Sequence, residues 1–219
     1  MYKPVRKIKN SGTKKNTGFF PSKKNERPVA FESLLERDYL YLLEFDCDVI
    51  SYKEQPITIS YYYSHNSYRY TPDFWVQRKN KTQLIEIKPK SKLQSILSDN
   101  FKSKKFMVAA QYCKSNNVSE FKIVTDEEIR QGNILNNIKY LFSYSRLDMP
   151  ASIKLKIRNE LIVSGPQPIF KLLSNVCDSS DYSKYYSFIL SMVYNQEIFI
   201  DLQTPISTSS LIQIKYTRV

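Results

Sequence analysis

Glycine is scarce in this chain, with four residues among 219, and histidine occurs only as His65. So few glycines leave no Gly-rich loop to cradle the phosphates of a nucleotide, and nucleotide hydrolysis is not expected. A single histidine excludes a His-built metal centre and a Ser-His-Asp arrangement. His65 stands in a tyrosine-rich turn and reads as a loop residue rather than a general base. Cysteine is sparse too. Cys47, Cys113 and Cys177 are odd in number and far apart, which suits neither a disulfide framework nor zinc-ligand spacing. No apolar run reaches the ~20 residues that span a bilayer, and the N-terminus is too charged for a secretory signal. The expectation is therefore no membrane association and a reducing, cytoplasmic setting.

Acidic residues are nearly missing from the first 27 positions, where Glu26 faces Lys3, Arg6, Lys7, Lys9, Lys14, Lys15, Lys23, Lys24 and Arg27. Such a block reads as a flexible arm that settles on phosphate. The whole chain carries a formal charge of +12, which points to a polyanionic partner, with nucleic acid the natural candidate. A nuclear-localisation segment is the weaker reading of the same block.

After the arm, apolar residues at three- and four-residue steps predict an amphipathic helix from about Val29 to Phe45. Segments rich in β-branched and aromatic residues then predict strands at 49–53, 57–63, 71–77 and 83–88, punctuated by Pro56, His65-Asn66-Ser67 and the polar run 78–82. In the Tyr61-Tyr62-Tyr63 cluster, strand alternation predicts core contacts plus one exposed face. A helix over roughly 98–116 and a short strand at 121–124 follow. Thr125-Asp126-Glu127-Glu128 then forms a capping box, and the helix it opens is expected to run into 138–141. Helix, hairpin-linked strands, helix and strand together describe an α/β unit with a mixed sheet. Beyond about Arg146 the texture becomes helical near 151–163, 167–177 and 182–194, and ends in a hairpin of 197–202 with 211–214. Three small helices and a hairpin predict a winged-helix-like domain.

The chemistry concentrates in three stretches: Glu36, then Thr71-Pro72-Asp73-Phe74, then Ile85-Glu86-Ile87-Lys88. On a strand, Glu86 and Lys88 point to the same face. An antiparallel hairpin brings the start of one strand beside the end of the next, so Asp73, Glu86 and Lys88 are expected to converge. Carboxylates are hard oxygen ligands suited to Mg²⁺ or Mn²⁺ beside a phosphodiester. Each residue also has an ordinary reading. Ser33 with Glu36 fits a helix capping box, Glu86 with Lys88 fits a surface ion pair, and Gln55 is either a carboxylate-orienting residue or a strand-end residue. The ordered constellation favours a metal-dependent nuclease, with Asp73, Glu86 and the Ile87 carbonyl as metal ligands. Glu36 would complete the site and Lys88 would position the attacking water.

The runs Phe31 to Tyr39, Tyr52 to Pro56, Tyr70 to Phe74 and Ile85 to Pro89 resemble the TnsA endonuclease subunit of heteromeric transposons. The resemblance implies a restriction-endonuclease-like catalytic domain and a C-terminal domain that engages a AAA+ regulator, TnsC. It also implies cleavage at the 5′ ends of the element, while an integrase-fold transposase, TnsB, cuts and joins the 3′ ends. Carried onto this chain, the catalytic positions are Glu36, Asp73, Glu86 and Lys88. The prototype subunit has Gln where this chain has Glu86, so the sequence matches the wider PD-(D/E)xK pattern. The domain layout expected is a basic flexible arm over 1–27, a catalytic domain over 28–145 and a partner-binding domain over 146–219. A non-catalytic DNA-binding scaffold and a stand-alone restriction-type nuclease are the alternatives.

Overall fold

A computed structural model of the protein describes residues 16–215. The chain divides into two compact units, the first ending at Arg130 and the second beginning at Gln131.

The first unit opens with an antiparallel hairpin, β1 (Gly18–Ser22) and β2 (Arg27–Phe31). This corrects two expectations. Residues 18–27 are ordered sheet and turn rather than flexible arm, and the predicted helix does not begin at Val29. Val29 and Phe31 satisfy a two-residue period as well as a helical one, and both are buried in the strand. Helix α1 (Leu34–Phe45) starts where Ser33 caps it, its Oγ accepting from the Glu36 amide at 3.1 Å. It buries Tyr39, Leu40 and Leu43 on its inner face.

Then come β3 (Val49–Glu54), β4 (Ile59–Tyr63), β5 (Asn66–Tyr70), β6 (Phe74–Arg78) and β7 (Thr82–Lys88). Helices α2 (Lys90–Leu97) and α3 (Asn100–Ser115) lead to β8 (Glu120–Thr125) and a single turn, α4 (Asp126–Ile129). The main sheet runs β3-β6-β7-β8, antiparallel except for the parallel β7–β8 pair. A parallel pair needs a crossover, and α2 with α3 supplies it. Strand β7 is buried from Gln83 to Ile87, as a central strand covered on both faces should be. Strands β4 and β5 form a separate two-stranded ribbon packed on α3 through Ile59, Tyr70, Phe106 and Ala109.

The second unit contains α5 (Ile134–Phe142), α6 (Ala151–Ser164), β9 (Gln167–Pro168), α7 (Ile169–Val176), α8 (Tyr182–Tyr194), β10 (Ile198–Ile200) and β11 (Leu211–Ile214). Its sheet has the order β10-β11-β9. The division at Arg130/Gln131 falls before the boundary expected near Arg146. The capping box at Thr125 opens only α4, and the chain then turns through Gly132 at φ +51°. Helix α5 is part of the second unit. It buries Leu135, Ile138 and Leu141, and the Asn137 amide donates to the carbonyls of Leu202 at 2.9 Å and Thr204 at 2.7 Å.

Candidate active site

Register does most of the work of assembling the site. Phe74 pairs with Ile85, so Asp73, one step earlier, lies beside Glu86, one step later. Asp73 Oδ2 accepts the Ile87 amide at 2.7 Å, which ties the entry of β6 to the end of β7. Glu86 is 2 % exposed. Its Oε2 accepts from the Tyr70 hydroxyl at 2.7 Å, and its Oε1 lies 2.6 Å from Lys88 Nζ. Lys88 Nζ also donates to the Ile87 carbonyl at 3.0 Å. The same-face pairing of Glu86 and Lys88 is thus realised, and with it the convergence of Asp73, Glu86 and Lys88.

Glu36 lines the same cavity, which encloses about 650 Å³ and is also bordered by Asp73, Glu86, Lys88, Arg69 and Lys105. Its carboxylate is turned back onto its own helix start. Oε2 accepts from the Glu32 amide at 2.8 Å, and Oε1 accepts from Ser33 Oγ at 2.9 Å. The cap and the cavity position are therefore both properties of Glu36. Gln55 follows β3 at φ +43°, a left-handed conformation that costs a non-glycine residue energy. Its amide donates to the Asp73 carbonyl at 2.8 Å and its Nε2 donates to Glu32 Oε1 at 3.0 Å, linking the start of α1 to the Asp73 backbone.

Burial raises the pKa of Asp73 well above its ordinary value. Glu86 adds to the shift, Lys88 opposes it, and Glu36 adds again. Burial likewise raises Glu36, against hydrogen bonds from Glu32 and Ser33. For Lys88, burial works to lower the value, but Asp73, Glu86 and Glu36 prevail and it is raised. Burial is the largest cause for both carboxyls, and Lys88 works against it at each.

The donor chemistry fits a divalent cation. Asp73, Glu86 and the Ile87 carbonyl offer hard oxygens, and the Lys88 ammonium already rests on two of these three groups. Among the described residues no three His, Cys, Asp or Glu side chains are gathered as a ready-made metal cluster. The Glu36 carboxylate is engaged by its own helix cap. Two carboxylates and a carbonyl suit Mg²⁺, which keeps several waters of its own.

Of the predicted phosphate-binding arm, Lys3, Arg6, Lys7, Lys9, Lys14 and Lys15 lie outside the described residues. Lys23 is exposed in the β1–β2 turn. Two members are corrected. Lys24 Nζ donates to the carbonyls of Leu43 at 3.0 Å, Val49 at 2.7 Å and Asp46. Arg27 grips the buried Glu54 with both terminal nitrogens, at 2.8 and 2.6 Å. Both are spent inside the fold. Sequence reasoning missed Tyr70, Arg69, Lys92 and Lys105 at the cavity. Tyr70 alone carried a signal, three residues before Asp73 at the end of the preceding strand.

Among the described residues no helix is long and apolar enough to cross a membrane. No curated protein matches the chain. Residues 46–126 match the family model for the TnsA-like endonuclease N terminal, and this match, over the stretch that holds Asp73, Glu86 and Lys88, supports a TnsA-type endonuclease.

Proposed function

We propose that this chain is the metal-dependent endonuclease subunit of a Tn7-type transposase. It would cleave double-stranded DNA at the 5′ ends of the element, working with a separate integrase-fold transposase and a AAA+ regulator. The observation that carries the reading is the meeting of Asp73, Glu86 and Lys88 at one end of the β6–β7 hairpin, inside the stretch that matches the family.

In this reading the first unit has the restriction-endonuclease-like fold of PD-(D/E)xK enzymes. Asp73, Glu86 and the Ile87 carbonyl hold Mg²⁺ or Mn²⁺. When bound, the ion polarises the scissile phosphate and acidifies a water. The chain's own residues do the rest. Tyr70 keeps Glu86 Oε2 in place through its hydroxyl, whose proton is firmly held because burial and the adjacent Glu86 push its pKa up. Lys88 gives up its contact with Glu86 and orients the attacking water, stabilising the extra negative charge on the phosphate. Glu36 completes the site from the helix start, through water if it keeps its cap, and Gln55 fixes the backbone under Asp73.

The second unit is read as a winged-helix-like domain that docks the regulator. What supports this is its order of helix, strand, two helices and two strands from α6 to β11, with the last strand between the other two. Helix α8, buried from Phe188 to Tyr194, forms the core of this unit.

The test uses duplexes carrying the element's own ends, with transposase and regulator present in Mg²⁺ or Mn²⁺. Wild-type protein is expected to nick at the 5′ ends. Folded Asp73→Ala and Lys88→Ala proteins should lose the cut by at least ~10³-fold. Cleavage by either variant at the wild-type rate sinks the assignment, and a wild-type protein that binds but never cuts returns the chain to a scaffold.

A further inference from the structure

The β4–β5 ribbon stands outside the main sheet, and its two faces are chemically unlike. The inner face is aromatic. Tyr61 stacks on Tyr68 at 5.7 Å, while Tyr63 and Tyr68 meet Phe101 of α3 at 5.1 and 4.9 Å. Strand alternation leaves Ser60, Tyr62, Ser67 and Arg69 on the outer face, where Ser60 pairs with Arg69 and Tyr62 with Ser67. Tyr62 is 75 % exposed. Arg69 is exposed, makes no ion pair among the described residues and lines the catalytic cavity.

Lys105 of α3 also lines that cavity. Its Nζ lies 3.8 Å from Glu86 Oε1, longer than a hydrogen bond, and rests over the rings of Tyr70 at 5.5 Å and Phe106 at 5.0 Å. A cation kept only to neutralise the carboxylates would close on them as Lys88 does. Lys105 keeps only this long ion pair with Glu86, Arg69 lines the same cavity, and the outer face of the ribbon continues from Arg69 toward Tyr62, with only the small Ser60 and Ser67 between. A cavity rim that carries two cations, continued by an exposed aromatic on the ribbon, has the charge for a sugar–phosphate backbone.

We propose that the cavity rim marked by Arg69 and Lys105, continued along the outer face of the β4–β5 ribbon to Tyr62, is the surface on which duplex DNA lies as it enters the site. Arg69 and Lys105 contact the phosphates that flank the scissile one. Tyr62 packs against the backbone farther along. This deepens the nuclease reading and rests on it.

The experiment measures binding rather than cleavage. A fluorescein-labelled duplex of 40 base pairs is titrated with the full chain in EDTA over a series of KCl concentrations, and log Kd is plotted against log[KCl]. Removing a cation that neutralises one phosphate lowers the slope by about 0.9. Arg69→Gln and Lys105→Gln are expected to do so, with several-fold weaker binding at any one salt concentration. Tyr62→Ala should weaken binding several-fold with the slope unchanged, because no charge is removed. Lys81→Gln, a charge loss in the turn at the opposite end of β6 and β7, is expected to match wild type. Thermal melts followed by circular dichroism confirm that every variant is folded.

Wild-type slopes for both Arg69→Gln and Lys105→Gln overturn the surface. If Asp73→Ala still abolishes cleavage in the partner assay, the nuclease reading survives that failure. A change in slope for Lys81→Gln equal to that for Arg69→Gln also overturns it, because the charge effect is then general. No duplex binding by the wild-type chain at low salt overturns the surface as well, and the nuclease reading is then decided by the partner assay alone.

Discussion

Burial, and then the nearby Glu86, hold the Asp73 carboxyl above the ordinary range, with Lys88 pulling the other way. A carboxyl whose folded value exceeds its unfolded one binds a proton more tightly when folded. It therefore costs stability fully above the folded value and ceases to cost it as pH falls toward ~3.9. Asp73→Asn removes the charge while keeping an oxygen to accept the Ile87 amide. In EDTA at pH 7.5 the variant is expected to melt a few degrees above wild type, on the order of 1 kcal/mol. The advantage should vanish near pH 4, and a lower melting temperature at pH 7.5 would refute the electrostatic account. Lys24 illustrates the opposite use of charge. Its ammonium closes the end of α1 on three carbonyls, and burial lowers its pKa against Glu44 and Asp46. Lys24→Met should cost about 2 kcal/mol in urea unfolding, since three buried acceptors lose their donor. It should leave the salt slope of DNA binding untouched.

The elements that carry the site were the easiest to read. In β7 the pattern Leu84-Ile85-Glu86-Ile87-Lys88 can only be a strand with two charges on one face, and Asp73 sits one step outside a strand that must pair with it. Local period and hairpin geometry therefore sufficed for Asp73, Glu86 and Lys88. They did not suffice for Lys105, whose approach to Glu86 depends on how α3 is laid across the sheet. No spacing along the chain encodes that. Helix α2 was invisible for a related reason: it fully buries no residue, and only Leu93 and Ile96 lean on the core, too few to mark a period. Strand β5 was lost to its own turn. Asn66 and Ser67 look like loop, yet the chain reverses at Ser64 and His65, both in left-handed backbone at φ +45° and +66°. A two-residue turn of that kind prefers Asn-Gly. Replacing Ser64 by Asn and His65 by Gly is expected to stabilise the protein by roughly 1 kcal/mol in urea titration, because glycine adopts positive φ without strain. No gain would mean that the turn is not under strain.

Over the whole chain, each compact unit has a core of its own. Leu40, Tyr52, Phe74 and Leu84 centre the first, and Ile157, Ile169, Leu172 and Ile189 centre the second. Separate cores allow separate unfolding, which the chain can report without labels. Its one tryptophan, Trp75, lies in β6 of the first unit, whereas helices of both units contribute to far-ultraviolet circular dichroism. Heating is therefore expected to give one transition by tryptophan fluorescence and a broader or double one by dichroism. On the proposed function Mg²⁺ or Mn²⁺ would bind only the folded site, so it should stabilise the unit that fluorescence reports by RT ln(1 + [L]/Kd), about 2.7 kcal/mol at a hundred times Kd, and raise its midpoint. The remaining dichroism transition should stay in place. Asp73→Ala should abolish the metal shift, because it removes one of the two carboxylates proposed to hold the ion, and Lys81→Gln should keep it. Coincident transitions from the two probes would make the chain one cooperative body. A metal shift preserved in Asp73→Ala would move the ion away from the end of the β6–β7 hairpin.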